Sequence, residues 1–522
     1  MTRRKTVSAA FRRLFPTLPL LPYFILAGAP LAFLAADAAL HPPWLECPLL
    51  PAGRIVRLFL NSVALSLAVG IVGTAWGALA ALCLAGCRNG IRRLGVLLLP
   101  LPLLTPPYIL AVTWWSLLDR GTLIGRLFLP VMQAGGTLSD ALGAVLLLSF
   151  GWFPIPALLL LSAMRRLPGD VLDAARIQAG QGAVWIRGLI PLLAPSALAG
   201  GALLSCLTLT AYGVPALFQV RTLTLEMHAE FSSSGDPVRA AIPAVPLLLA
   251  AGAVLWVLHL LARGNGPPST PPSGGWPEGL HQPPCIAIPV RAVGLITLAL
   301  LCTPVLLMAA KAGSWRQVVR SGVDSWNEIS VSLALGAGAA ILCTICALPL
   351  ARLLTRRPSP GTLVLGLLPL AIPAPLFSLG VLGIWSPLLA GTHLPLVVAL
   401  AGRLMPFALL SQFVIFRTLD PLLFEMGELH PVPPTRRLLR VTLPLLLPGV
   451  AVGGAVTFAL TLGDLGSSVL LDPPGAGTFP VKLFNLLHYG AGDQVAGMAL
   501  CILPIVYLLW GLAVLLAKGW HR

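Results

Sequence analysis

The side chains able to do chemistry are few in this 522-residue chain, and most stand alone. Cys343 and Cys346 form a C-x-x-C, a spacing that serves redox couples and metal ions. It lies inside the apolar run from Ala339 to Leu350, where a thiol behaves as a small hydrophobe. Glu226-Met-His-Ala-Glu230 alternates carboxylate and imidazole, ligand types that suit a transition metal. His259 and His488 are isolated, which fits satisfied polar groups better than metal ligands. No Ser/His/Asp set and no carboxylate pair has the pattern of covalent or acid–base catalysis. No G-x-x-x-x-G-K-[ST] exists to cradle nucleotide phosphates. The expectation is no catalytic residue, no bound metal and no cofactor. What stands out instead is Arg403, a cation inside an apolar run, where an unpaired charge costs at least about 2.5–3.5 kcal/mol. Asp464 lies near the end of the next such run. The two either line a polar path or pair with each other.

The elements that must hold these residues follow from composition. Hydrophobic residues make up 57% of the chain and charged residues only 10%, with a mean hydropathy of +0.90. That excludes both a water-soluble globule and a disordered chain. The net charge of +16 raises the question of nucleic acid. The basic residues, however, fall in small groups between long apolar runs, such as Arg88, Arg92 and Arg93, or Arg436, Arg437 and Arg440. That is the pattern of a multispanning membrane protein, and no nucleic-acid partner is expected.

Runs of 18 or more apolar residues, the length that crosses a bilayer, are centred on Leu18–Leu40, Leu58–Ala85, Val96–Leu118, Leu142–Met164, Leu189–Ala211, Ile242–Leu261, Val293–Ala310, Ile329–Ala351, Leu363–Ile384, Leu394–Phe416, Leu443–Leu462 and Val495–Ala517. The fold class expected is an all-α polytopic membrane protein of about 12 transmembrane helices. The charged N-terminus followed by an apolar run reads as an uncleaved first span rather than a secretory leader. With a cytoplasmic N-terminus, 23 of the 34 Lys and Arg fall inside, ten outside and Arg403 within a span, which places both termini in the cytoplasm.

The chain repeats itself. Asn61-Ser-Val-Ala-Leu-Ser-Leu-Ala matches Asn327-Glu-Ile-Ser-Val-Ser-Leu-Ala at an offset of 266, which also pairs Pro107 with Pro373. Pro154 matches Pro406 and Arg165 matches Arg417 at 252, and Gly213 pairs with Gly466 at 253. Residues 264–290, rich in Pro and Gly, read as a cytoplasmic linker between a first six-helix module, 1–263, and a second, 291–522. An even number of spans per module makes the two repeats parallel, with a path between them. Pro107 and Pro373 either open the helices beside that path or are simply tolerated in lipid. The repeat's counterpart of Glu226 to Glu230, Leu483 to Leu487, has no ligands. A short helix lying on the outer membrane surface in each module accounts for both stretches better than a metal site does.

The most informative segment lies between the fourth and fifth spans of each module. One copy carries Asp173-Ala174-Ala175, then Gly180, and closes on Ile190-Pro191; the other carries Glu425-Met426-Gly427, then Pro431, and closes on Val441-Thr-Leu-Pro444. An acidic residue, small residues, a breaker and a basic amphipathic stretch read as helix, tight turn and helix outside the membrane, a shape that docks into a groove on a partner. These segments resemble the "EAA" loop of the permease subunits of binding-protein-dependent ABC importers, with pattern Glu-Ala-Ala, three residues, Gly, nine residues, Ile-x-Leu-Pro. Asp173 replaces Glu, Gly180 comes one position late and the first close is one residue short, while Pro431 replaces the glycine in the second copy. Leu207-Thr-Leu-Thr-Ala-Tyr-Gly-Val-Pro-Ala-Leu and Leu460-Thr-Leu-Gly-Asp-Leu-Gly-Ser-Ser-Val-Leu are a second family-like phrase. Two modules fused in one chain is the layout of ferric-iron and thiamine importers.

The resemblance implies that each loop seats in a cleft of one of two ATP-binding subunits, with the acidic residue facing a basic group there. It also implies a periplasmic binding protein that selects a small solute, ferric iron or thiamine-like, and a location in the bacterial inner membrane. Arg403, Asp464, Gly213 and Gly466 are the candidates for the translocation path. Two other readings stand beside it. An ion-coupled secondary transporter would need intramembrane carboxylates, and the spans offer little beyond Asp37 and Asp464. A multispan enzyme would need the buried nucleophile and base that are missing.

Overall fold

The computed structural model describes residues 20–40, 51–117, 137–165, 184–264, 284–356, 360–389, 391–419, 438–490 and 492–519, with a few isolated positions between them. Among these residues the secondary structure is helical, without strands. Nine helices are long and apolar enough to cross a membrane, and up to twelve spans result if each of three bent pairs is one span. These coincide with the twelve apolar runs, because a chain in lipid has only intrahelical partners for its backbone polar groups.

In chain order the elements are α1 (Leu21–Leu40), α2 (Ala52–Gly86), the bent pair α3 (Asn89–Leu104) and α4 (Pro107–Leu117), and the pair α5 (Thr137–Trp152) and α6 (Pro154–Met164). Then come α7 (Ile190–Leu209), the short α8 (Gly213–Leu217), α9 (Leu223–Ser234) and α10 (Ala244–Gly264). After the linker region, α11 (Pro284–Ala312), α12 (Trp315–Asp324), α13 (Trp326–Arg356), the bent pair α14 (Gly361–Ala371) and α15 (Ala374–Leu389), and α16 (Leu394–Thr418) follow. The chain ends with α17 (Leu443–Leu462), short α18 (Leu465–Leu471), α19 (Phe479–His488) and α20 (Gly492–Gly519). Helix α11 begins at Pro284, inside the stretch assigned to the linker; Pro at the first position of a helix lacks only an N–H that would be unbonded there anyway.

Similar elements occur in the same order on either side of residue 264. Helices α2 and α13 are 35 and 31 residues long. The pairs α3–α4 and α14–α15 bend by 96° and 88°. Helices α7 and α17 each follow a π-helical turn, Val184–Leu189 and Leu438–Thr442, and each run 20 residues with an internal proline, Pro195 and Pro448. The surface helices α9 and α19 recur as well.

Side chains sort by solvent type. Ile71, Leu249, Leu295 and Leu508 are more than two-thirds exposed on the outside of the bundle, where acyl chains would cover them. Inside, α2 presents the small residues Gly70, Gly73, Gly77, Ala80 and Ala81 to its neighbours, which lets helices approach where lipid supplies no hydrophobic drive. The first span of each half packs on the other half. Helix α1 lies on α15 and α16, with Tyr23 donating to the Leu365 carbonyl and Pro30 against Gly380. Helix α11 lies on α2, with the Trp76 indole donating to the Thr297 hydroxyl at 2.9 Å.

Candidate functional site

Four interrupted helices meet at the centre of the bundle. Thr105 ends α3, its hydroxyl donating to the Leu101 carbonyl at 2.8 Å and also lying 2.8 Å from the Tyr507 hydroxyl of α20. Pro106 and Pro107 then turn the chain, since proline supplies no amide to continue the first helix and suits the start of the second. Ile372 and Pro373 make the equivalent break between α14 and α15. Thr210 closes α7 by bonding back to Cys206 and Leu207, and α8 starts at Gly213. Helix α17 ends at Leu462, and Asp464 caps α18 by accepting from the Ser467 amide at 2.9 Å.

The breaks touch. A Cβ on Gly463 would stand 2.9 Å from the Pro107 ring, and one on Gly466 would stand 3.0 Å from Ala374 Cβ and 3.1 Å from Tyr212 Cβ. At Gly213 the nearest atom, Leu465 Cβ, would be 3.6 Å away. The buried Tyr108 hydroxyl donates to the Leu462 carbonyl, and the Cys206 thiol faces the Leu370 carbonyl at 3.8 Å. Between the breaks lies a cavity of about 120 Å³, lined by Thr105, Pro106, Tyr212, Arg403 and Asp464 among others. That is below the roughly 300 Å³ where ligand clefts usually begin. The arrangement is a narrow constriction, and a solute larger than this space crossing here requires the four breaks to move apart.

All four residues picked from the sequence as path candidates line this cavity: Arg403 from α16, Asp464 and Gly466 around the start of α18, and Gly213 at the start of α8. Arg403 and Asp464 also pair, Nη1 donating to Oδ2, with side chains 16% and 4% exposed. Lining the cavity and pairing are therefore compatible. Of the loop residues, Pro191 and Pro444 stand in the first turns of α7 and α17, directly after the two π-helical turns. Asp173, Ala174, Ala175, Gly180, Glu425, Met426, Gly427 and Pro431 lie outside the described residues.

The other candidates are accounted for by their neighbours. Glu226 and Glu230 sit on α9 and are taken by Arg54 at 2.8 Å and Arg239 at 2.5 Å. His228, between them, packs edge-on against Tyr212 with ring centroids 5.4 Å apart, and burial lowers its pKa. Helix α9 is a short helix strapped to the bundle by these pairs, and α19 recurs in the second half, held by Lys482 to Glu328 at 2.7 Å. His259 is buried beside Trp256 with its Nδ1 lacking a hydrogen-bond partner among the described residues, so it is not the satisfied polar group expected, while His488 Nδ1 donates to the Phe484 carbonyl at 2.9 Å. Cys343 and Cys346 are buried free thiols within α13. Sequence reasoning did not single out Tyr108, which links α4 to the end of α17; the Pro-Pro-Tyr run at the break was the available signal.

Fold and site together define a class, a multi-pass helical membrane protein whose broken helices close on a central cavity. Comparison with known proteins narrows that class. No protein-family model matches. The chain is 27% identical over 240 residues to a putative 2-aminoethylphosphonate transport system permease protein of Salmonella paratyphi A, covering 42% of this chain and 89% of the relative. It is 29% identical over 201 residues to the molybdenum transport system permease protein of Mycobacterium tuberculosis, covering 35% and 75%. It is 26% identical over 186 residues to the putrescine transport system permease protein of Escherichia coli K12, covering 34% and 66%. The general role these relatives support is that of a transport-system permease, and none of the three is named for iron or thiamine.

Proposed function

We propose that the chain is the translocation subunit of an ABC importer in the bacterial inner membrane, with both termini cytoplasmic. Two six-span modules, 1–263 and 291–522, are fused through the linker 264–290 and enclose one path for a small solute. Two ATP-binding subunits grip the loops around Asp173 and Glu425, and a periplasmic binding protein delivers cargo to the outer side. The observation that carries this reading is the narrow cavity ringed by four helix breaks, two on each side of residue 264. A constriction of that kind opens when the halves move relative to one another, and a chain with no phosphate-binding loop of its own takes that movement from partners.

The iron or thiamine cargo of the fused permeases it resembles is the finer reading; the relatives' names give a phosphonate, molybdenum and putrescine, all small charged solutes. Ion-coupled secondary transport is less favoured, because the Asp464 carboxylate is already committed to Arg403 and to the Ser467 amide. Reconstitution separates the two. ATP-dependent uptake that needs the ATPase partner is expected. Uptake driven by an ion gradient through the chain alone would refute the proposal. Charge reversal at Glu425 should abolish ATP-coupled uptake while leaving membrane insertion intact, and unchanged uptake removes that residue from the coupling loop.

A further inference from the structure

Arg403 and Asp464 are the charged residues among those lining the central cavity, and they stand on one wall of it. The positions that the repeat offsets relate to them, Gly151 and Ala211, line the same cavity without charge. One half of the bundle thus builds its wall with no ion pair at all, so the pair is not demanded by the architecture. The two partners differ in what remains unspent. Asp464 is engaged at each of its polar atoms: Oδ2 receives Arg403 Nη1 and Oδ1 receives the Ser467 amide at 2.9 Å. Arg403 is not, for its Nε is buried with no hydrogen-bond partner. A guanidinium presents five N–H donors in a planar fork, and a buried donor left unmet is costly. The unused hydrogen-bonding capacity at this pair is therefore that of a cationic donor.

We propose, resting on the permease reading above, that this cavity passes an oxyanion, carboxylate, phosphonate or metal-oxide in type, which docks on the Arg403 guanidinium while Asp464 serves as the guanidinium's counter-ion between transport events. The fork geometry suits two oxygens of one anion at once. An anion can bind the guanidinium without disturbing the Ser467 cap on α18. A cation would have to compete for Asp464 against both Arg403 and the Ser467 amide, stripping the arginine of its counter-ion inside the membrane.

The test uses the full-length chain in lipid nanodiscs without ATP, titrated calorimetrically with methylphosphonate, molybdate and acetate as oxyanions and with putrescine as a cation. At least one oxyanion binds and putrescine does not. Arg403→Gln weakens that binding tenfold or more, and Arg403→Lys, which keeps the charge and loses the fork, weakens it less. Asp464→Asn, able to cap Ser467 but no longer a competing anion, tightens it several-fold and supplies a readout even if the arginine variants fail to fold. Binding by none of the oxyanions, oxyanion binding indifferent to Arg403→Gln, or putrescine binding that disappears in Asp464→Asn overturns the proposal. Because no ATPase is present, these outcomes are separate from failure of the importer reading, which the gradient experiment tests.

Discussion

Gly466 and Gly213 occupy corresponding places at the constriction, yet the space around them differs. A methyl on Gly466 would press on Ala374 and Tyr212 at 3.0 and 3.1 Å, contacts that force the breaks apart, whereas at Gly213 it would meet Leu465 at an ordinary 3.6 Å. Gly466→Ala is therefore expected to destabilise the protein by about 1–3 kcal/mol, the usual cost of overpacking, and Gly213→Ala to change the thermal midpoint in detergent little. Equal effects would show that the two loops are not closed against each other in this way. His228 gives a pH dependence of known sign. Burial holds its pKa below the ordinary 6.5, so the folded state keeps it neutral while the unfolded chain takes up a proton. Its contribution is intact above about 6.5 and is lost as pH falls from there toward the folded value. Arg54, Arg57, Arg221 and Glu226 line the same recess. Amide protection of α9 is expected to fall on acidification below that point, and His228→Gln to flatten the profile. Arg403 and Asp464 stood out in the sequence because a charge in an apolar run is conspicuous. The partner of Tyr108 was not, since it lies 354 positions away and a carbonyl leaves no mark on composition.

The helices themselves were legible almost completely, because lipid imposes a length and a polarity that any run of letters either meets or does not. The bends were half legible. Pro107 and Pro373 marked where a helix could open, but not the turns of 96° and 88° found there, where Pro107 stands against Gly463 and Ala374 against Gly466. Helix α12 escaped notice: ten residues, capped by Ser314 and carrying Arg316 and Arg320, look like an outer loop when only long apolar runs are sought. The surface helices α9 and α19 show how one device is built from different letters. In each, an amide at the start of the helix donates to a serine of the long helix, Leu223 to Ser62 at 3.1 Å and Phe479 to Ser332 at 2.8 Å. An ion pair then straps the helix down, Arg54 to Glu226 in one half and Glu328 to Lys482 in the other, with the signs exchanged. A double-mutant cycle on Glu328 and Lys482 is expected to give a coupling of about 0.2–1 kcal/mol, and the charge-swapped pair Glu328→Lys with Lys482→Glu to recover most of it. The Arg54 pair, whose arginine side chain is 58% exposed, should couple more weakly. Coupling of zero at Glu328 and Lys482 would reduce that strap to a coincidence of packing.

At the scale of the whole molecule, the halves are interlocked rather than merely adjacent. Helix α1 belongs in sequence to the first half but lies on α15 and α16, with the Leu26 carbonyl beside Gly402. Helix α11 belongs to the second half but lies on α2, with Gly294 against Cys83. The Trp510 indole of α20 reaches the Leu97 carbonyl of α3 at 2.9 Å, and the buried clusters each mix residues from both halves. In the reading proposed above, such an exchange of first spans would tie the movement of one half to the other, and the four central breaks would be where relative movement opens a path. It also means that the linker need not hold the molecule together. Cutting the chain at a protease site inserted between residues 265 and 283 should therefore leave the two pieces co-purifying through size exclusion in mild detergent, with the thermal midpoint nearly unchanged. The Trp76 to Thr297 bond, buried tyrosine links and swapped first spans would all have to break for the pieces to part. If cleavage alone separates them, the interlock is too weak to transmit a stroke from one half to the other, and the two-module account of transport fails with it.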